Sequence, residues 1–251
     1  MSKFFVEEKQ VNGDKINIIG NDIKHIKNVL RKKAGENLTI CELSNTKDYL
    51  CEILKVSDES IECRIIEELN NNVESNIHVT IIQGLPKADK MELIIQKSVE
   101  LGVYDIIPIE MKRCVVKLND KDKQKKIARW QKISEVAAKQ CGRNIIPNIN
   151  TIINIKNICN LIPEYDIVLI AYENEKETTI KEELKKMKQS YSKDKIIKIA
   201  IIIGPEGGIA EEEIALLKEN GAKTITLGKR ILRTETASLN ILSSIMYELD
   251  M

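Results

Sequence analysis

From residue 76 onward, short apolar runs alternate with amphipathic stretches. This constrains the fold more than any other feature of the chain. Residues 79–83, 105–109, 166–171, 196–203 and 224–227 are β-branched runs of strand length. Between them lie helical patterns. Residues 89–101 place Met91, Ile94, Ile95 and Val99 on one face, and Gly102 ends the pattern. Residues 122–141 place Ile127, Trp130, Ser134, Ala137, Ala138 and Cys141 on one face. A further helix begins near Glu211, with three glutamates in its first turn that complement the helix dipole, and stops at Gly221. Strands that alternate with helices predict an α/β domain around a largely parallel sheet. The charged stretch 173–195 is predicted as a solvated loop with a helix over 180–187.

The first seventy residues follow another pattern. Strand-like segments at 4–6, 16–19, 38–42, 49–54 and 61–66 are separated by polar breaks such as Asn12-Gly13-Asp14, and one helix is predicted over 22–33. This predicts a small β-barrel-like module. The polar run Asn70-Asn71-Asn72 places the boundary, giving domains 1–72 and 73–251.

Composition narrows the classes. With 43% hydrophobic and 31% charged residues the chain is globular. The N-terminus has no long apolar stretch after a basic start, and the longest apolar run is far too short to span a bilayer, so no membrane partner is expected. Six scattered cysteines without a CxxC pair, and only two histidines, build no zinc site, so no metal is expected. The cysteines read as small buried hydrophobes, reduced in a reducing compartment. Net charge is +1, yet residues 112–143 hold eleven basic and three acidic residues. Such a segment fits either an anionic partner on one face or a solvated helix face.

Two loops carry the densest chemistry. GPEGG at 204–208 follows the most apolar strand, and ligands of open α/β sheets bind outside the carboxyl ends of strands. It is no phosphate loop, since it lacks the GK[ST] ending and Glu206 would repel a pyrophosphate. A cationic or zwitterionic ligand such as a sulfonium suits that carboxylate, although an ordinary glycine-rich turn is the alternative. In LGKRILRTETA at 227–237, two arginines, a glutamate and two threonines crowd before an apolar helix that Thr234 or Thr236 could cap. Two such loops suit one shared small-ligand pocket. His25, with Arg31 to Lys33 after it, reads either as structural or as a phosphate contact.

These segments also resemble a known family. FFV at 4–6, HIKNVLR at 25–31, PKADKMELIIQKSVELGV at 86–103, RCVVK at 113–117, RWQKISEVAAKQCGR at 129–143, GPEGG and LGKRILRTETA match in order the ribosomal small-subunit methyltransferase E family, the 16S rRNA (uracil-N3)-methyltransferases of the SPOUT superfamily. The resemblance implies an α/β SPOUT-type knotted parallel-sheet domain preceded by a PUA-like β-barrel that binds RNA. It implies a cytoplasmic homodimer acting on the small ribosomal subunit, with S-adenosylmethionine as cofactor. The implied cofactor-binding residues are Ala171, Gly204, Glu206, Gly207, Leu227, Gly228, Ile231 and Leu232; for the chemistry, Glu206 is a candidate base or cofactor orienter and Arg233 a candidate stabiliser of the uracil oxygens. RNA contacts are expected at Lys3, His25, Arg31, Lys90, Arg113, Arg129 and Arg143. Lys3 stands where the family usually has arginine, which keeps the charge but loses the bidentate fork. The alternatives are a non-catalytic RNA-binding or ribosome-assembly protein, the same chemistry on a different RNA, and a nucleotide-dependent enzyme, which the missing phosphate-loop lysine disfavours.

Overall fold

Where one face of a strand is buried, apolar and polar residues alternate, and β3 (Lys15–Ile19) follows this rule with Ile16 and Ile18 inward. It belongs to a six-stranded sheet with β1 (Lys3–Val6), β2 (Val11–Asn12), β4 (Asn37–Glu42), β5 (Lys47–Val56) and β6 (Ser60–Leu69), in the order β1-β4-β5-β6-β3-β2. Only β1 and β4 run parallel. Phe4, Ile16, Ile18, Ile26, Ile40, Ile53 and Ile61 form its core with Cys51 and Cys63. Burial pushes the thiols of Cys41, Cys51 and Cys63 up to about 12, so they pack as small apolar groups. Cys141, in contrast, is exposed.

The computed structural model describes residues 3–190 and 195–250. The chain divides into two units, one of residues up to 74 together with 138–146, the other of residues 75–137 and 147 onward. The return of 138–146 to the first unit has a physical cause. The Arg143 guanidinium grips the Glu74 carboxylate, which also accepts from the Asn144 amide at 2.7 Å, and Lys139 pairs with Asp22 at 2.8 Å.

The second unit is built on an all-parallel sheet. Its strands are β7 (Ile77–Gly84), β8 (Asp105–Glu110), β9 (Asn148–Ile149), β10 (Ile153–Asn154), β11 (Ile167–Ala171), β12 (Ile197–Ile203) and β13 (Lys223–Ile225). The order is β10-β8-β7-β12-β11-β13, with β9 also on β8. A parallel sheet covered on both faces needs continuous apolar strands, and β12 is buried without interruption from Ile199 to Ile203. The helices are α2 (Lys90–Glu100), α3 (Asp120–Cys141), α4 (Ile155–Leu161), α5 (Ile180–Ser190), α6 (Glu211–Glu219) and α7 (Thr234–Leu249), after the short α1 (Asn21–Lys24) of the first unit. From β12 the chain passes through α6 to β13, on the far side of β11, and returns in α7 to pack on α2, α5, β7 and β12. Among the described residues, no helix is long and apolar enough to cross a membrane.

Two local expectations need correction. The helix predicted over 22–33 ends at Lys24 and continues as a π-type turn, His25–Val29, before Arg31 takes a φ of 54°. Helix α7 starts at Thr234, so its N-cap is Arg233 and neither threonine caps it.

Candidate functional site

The carboxyl ends of β11, β12 and β13 open into a cleft of about 530 Å³. Its walls are the three loops that follow these strands: 171–173, 203–209 and 226–234. The volume suits a small organic ligand. Gly204 makes the tightest part of this wall. A Cβ there would lie 2.9 Å from Ile209 Cγ1 and 3.0 Å from the Gly208 carbonyl carbon, so only glycine lets the loop fold back under itself. Gly228 has a φ of +112°, which turns the third loop away from β13.

Glu206 stands at the mouth of the cleft. Its Oε1 accepts from the Lys87 amide at 3.1 Å and lies 3.0 Å from Lys90 Nζ. The same ammonium lies 3.2 Å from Glu235 Oε2, so one lysine serves two carboxylates. Burial alone would raise the Glu206 carboxyl, but Lys90 and the backbone amides outweigh it and hold the group below its ordinary value. The Lys90 ammonium is held above its own, first by Glu206. Near neutral pH Glu206 is therefore a carboxylate and Lys90 an ammonium. Glu173 enters the cleft beside Gly208, and Arg113 Nη1 donates to Gly207 O at 3.1 Å.

Beside the cleft, Glu175 fastens the loop after β11. It accepts from Thr224 Oγ1 at 2.6 Å and from the amides of Glu177 and Thr178. These donors, Thr224 first, bring its carboxyl down to about 2. Beneath the cleft, Gln83, Thr234 and Ser238 form a buried hydrogen-bond chain.

The structure therefore brings Ala171, Gly204, Glu206, Gly207, Leu227, Gly228, Ile231, Leu232 and Arg233 to one cleft. Ile231 is 89% exposed at its edge. Lys90 also lines the cleft, bound to carboxylates rather than presented outward. Lys3 and Arg143, both expected at the RNA, are turned inward. Lys3 is buried with Nζ 2.6 Å from Asp48 and donating to Gly142 O, and Arg143 is buried on Glu74. His25 is half-buried, edge-on to Phe4, while Arg31 is exposed. Arg129 is exposed but paired with Glu92 at 2.8 Å.

Of the basic residues in 112–143, six are in ion pairs: Lys112, Lys123, Arg129, Lys132, Lys139 and Arg143. Among the described residues Lys117, Lys121, Lys125 and Lys126 have no such partner, and Arg113 meets a backbone carbonyl instead of a carboxylate. They form the unneutralised part of the segment. Sequence reasoning missed Gln83, Glu173 and the pairing of Lys90 with Glu206 and Glu235, because nothing local marks residues that meet only in the fold. No cluster of metal-ligating side chains occurs among the described residues.

Comparison with known proteins bears on this geometry. The model of the RNA methyltransferase domain family matches residues 73–246, and that of the RNA methyltransferase PUA domain matches residues 18–66. The ribosomal RNA small subunit methyltransferase E of Bacillus subtilis (strain 168) is 37% identical, over 100% of this chain and 98% of its own. That of Mesomycoplasma hyopneumoniae (strain 232) is 36% identical, over 97% and 98%. The crystal structure of a ribosomal RNA small subunit methyltransferase E from Neisseria gonorrhoeae bound to S-adenosyl methionine superposes with a TM-score of 0.82. It is 31% identical, over 98% of this chain and 97% of that one. The parallel-sheet unit is thus a SPOUT-type methyltransferase fold, preceded by a PUA-like sheet. With full-length likeness at this level, the chain belongs to the ribosomal RNA small subunit methyltransferase E family.

Proposed function

We propose that this chain transfers the methyl group of S-adenosylmethionine to N3 of one uridine in 16S ribosomal RNA of the small subunit. The observation that carries the reading is the cleft itself. Three loops at the carboxyl ends of adjacent parallel strands enclose a volume fit for the cofactor, the first of them folded back under itself at Gly204 as only glycine allows. A family relative has been crystallised with that cofactor bound.

When bound, S-adenosylmethionine supplies an electrophilic methyl on a cationic sulfur. Backbone at 204, 207, 227, 228 and 232, with Ala171, would hold it, and Ile231 would cover its exposed side. Glu206 remains ionised, the form in which it complements positive charge in the cleft, orients the ligand and can accept the uridine proton. Arg233, exposed at the rim, would stabilise the uracil oxygens as N3 loses its proton. Much of the acceleration then comes from alignment of nitrogen, methyl and sulfur. N3 lies on the Watson–Crick edge, so the target base must be unpaired or extruded.

Arg31, His25, Arg113, Arg129 and the unpaired lysines of α3 supply the RNA contacts. Residues 1–72 act as the RNA-binding domain and 73–251 as the methyltransferase domain. The protein works in the cytoplasm as a homodimer. The direct test is transfer of labelled methyl to small subunits that lack their native N3-methyluridine. Label in a single N3-methyluridine supports the reading. No label, together with no cofactor binding by calorimetry, would leave a non-catalytic RNA-binding protein; label at another nucleoside would change the target.

A further inference from the structure

Gln83 sits at the C-terminal end of β7 with no exposed surface, at the point where the loop after β12 and the start of α7 converge. Its Oε1 accepts from Ser238 Oγ at 2.6 Å, and its Nε2 donates to Thr234 Oγ1 at 2.9 Å and to Gly84 O at 3.0 Å. Thr234 Oγ1 in turn donates to Gly204 O at 2.7 Å. The polarity of this relay is fixed. A flipped amide would set Oε1 against the Gly84 carbonyl, two acceptors facing each other, and a hydroxyl has one proton to give. The relay reaches both ligand loops at once, since Gly204 opens the first and Thr234 closes the third. Backbone packing reinforces it, because a Cβ on Gly84 would lie 2.7 Å from Pro205.

A buried polar chain of this kind adds little stability over apolar side chains of the same shape, but it dictates one geometry. We propose that Gln83, through Thr234 and Ser238, is a positioning residue of the cofactor cleft, setting the spacing of the 204–208 and 227–233 loops before ligand arrives. This rests on the reading that the cleft takes S-adenosylmethionine.

The test uses the whole 251-residue chain and four variants: Thr234→Val and Gln83→Met, which keep shape but break the relay, Thr234→Ser, which keeps it, and Ser238→Ala, which removes the hydroxyl that bonds Gln83 Oε1 and the Thr234 carbonyl. Two quantities are measured, calorimetric affinity for S-adenosylmethionine and amide hydrogen exchange of both loops without ligand. Thr234→Val and Gln83→Met are expected to bind about tenfold more weakly and to exchange faster in both loops, whereas Thr234→Ser stays close to wild type. Unchanged affinity and exchange in the two relay-breaking variants overturn the proposal. Should those two fail to fold, Ser238→Ala decides: faster loop exchange with weaker binding supports the relay, and wild-type behaviour in both rejects it. A wild-type protein that binds no S-adenosylmethionine refutes the reading of the cleft, and the exchange comparison still judges the positioning role.

Discussion

Lys90 shows what a single side chain can decide. It divides one ammonium between two carboxylates, Glu206 and Glu235. Glu206→Gln keeps the shape and removes the charge, and is expected to weaken S-adenosylmethionine binding about tenfold in calorimetry, the scale of a single charge-assisted interaction. The pH dependence follows from direction. With its carboxyl below the ordinary value of 4.5, Glu206 is ionised throughout the neutral range, so the rate between about pH 6 and 8 should carry no inflection from it. An inflection there that vanished in Glu206→Gln would mean that the carboxyl titrates in that range and is not held below its ordinary value. Gly204→Ala forces a Cβ onto backbone and should cost about 1–3 kcal/mol, read as a fall in melting temperature of several degrees. Lys3 belongs to another class. Lys3→Ala leaves Asp48 as an uncompensated buried charge and should destabilise the protein by about 3–5 kcal/mol in denaturant titration.

At the scale of elements, the loop after β11 hangs on Glu175. Its pKa is lowered from 4.5 to about 2, so the carboxylate contributes stability that is complete above about pH 4.5 and is lost as pH falls toward 2. Hydrogen exchange over 172–179 should rise across that window in wild type. Glu175→Gln should exchange fast already at neutral pH and lose the pH dependence. Exchange that ignored both changes would remove Glu175 as the anchor. The strands of this unit are legible in the sequence because a parallel sheet demands unbroken apolar runs, as in Ile199 to Ile203. Residues 145–165 are not legible. They are mostly isoleucine and asparagine, so no period stands out, and β9 and β10 have two residues each. The usable signal there is Asn154, whose side chain caps α4 in a box with Asn157. The helix predicted over 22–33 fails for another reason. At His25 the backbone shifts to a wider bond, Leu30 N to His25 O, which an apolar period does not reveal.

At the scale of the whole molecule, the basic segment 112–143 is far less free than its count suggests, because carboxylates distant in sequence neutralise much of it. RNA affinity should fall steeply with salt, and alanine at Lys117, Lys121, Lys125 and Lys126 should flatten that slope by about one unit for each phosphate no longer neutralised. Arg129→Ala should do less, since Glu92 already holds the guanidinium. A slope unchanged in the fourfold variant would place the RNA elsewhere. The two glycine loops of the cleft can be read from the sequence, but their support cannot, because Gln83 meets Thr234 across 151 residues. That separation has a consequence in time. A chain made from its N-terminus completes β7 long before β12, its neighbour in the sheet, has been synthesised. Gln83 must then stay solvated until the segment that carries Thr234 and Ser238 leaves the ribosome. The ligand cleft therefore waits for α7, and a nascent chain short of that helix is blind to its cofactor.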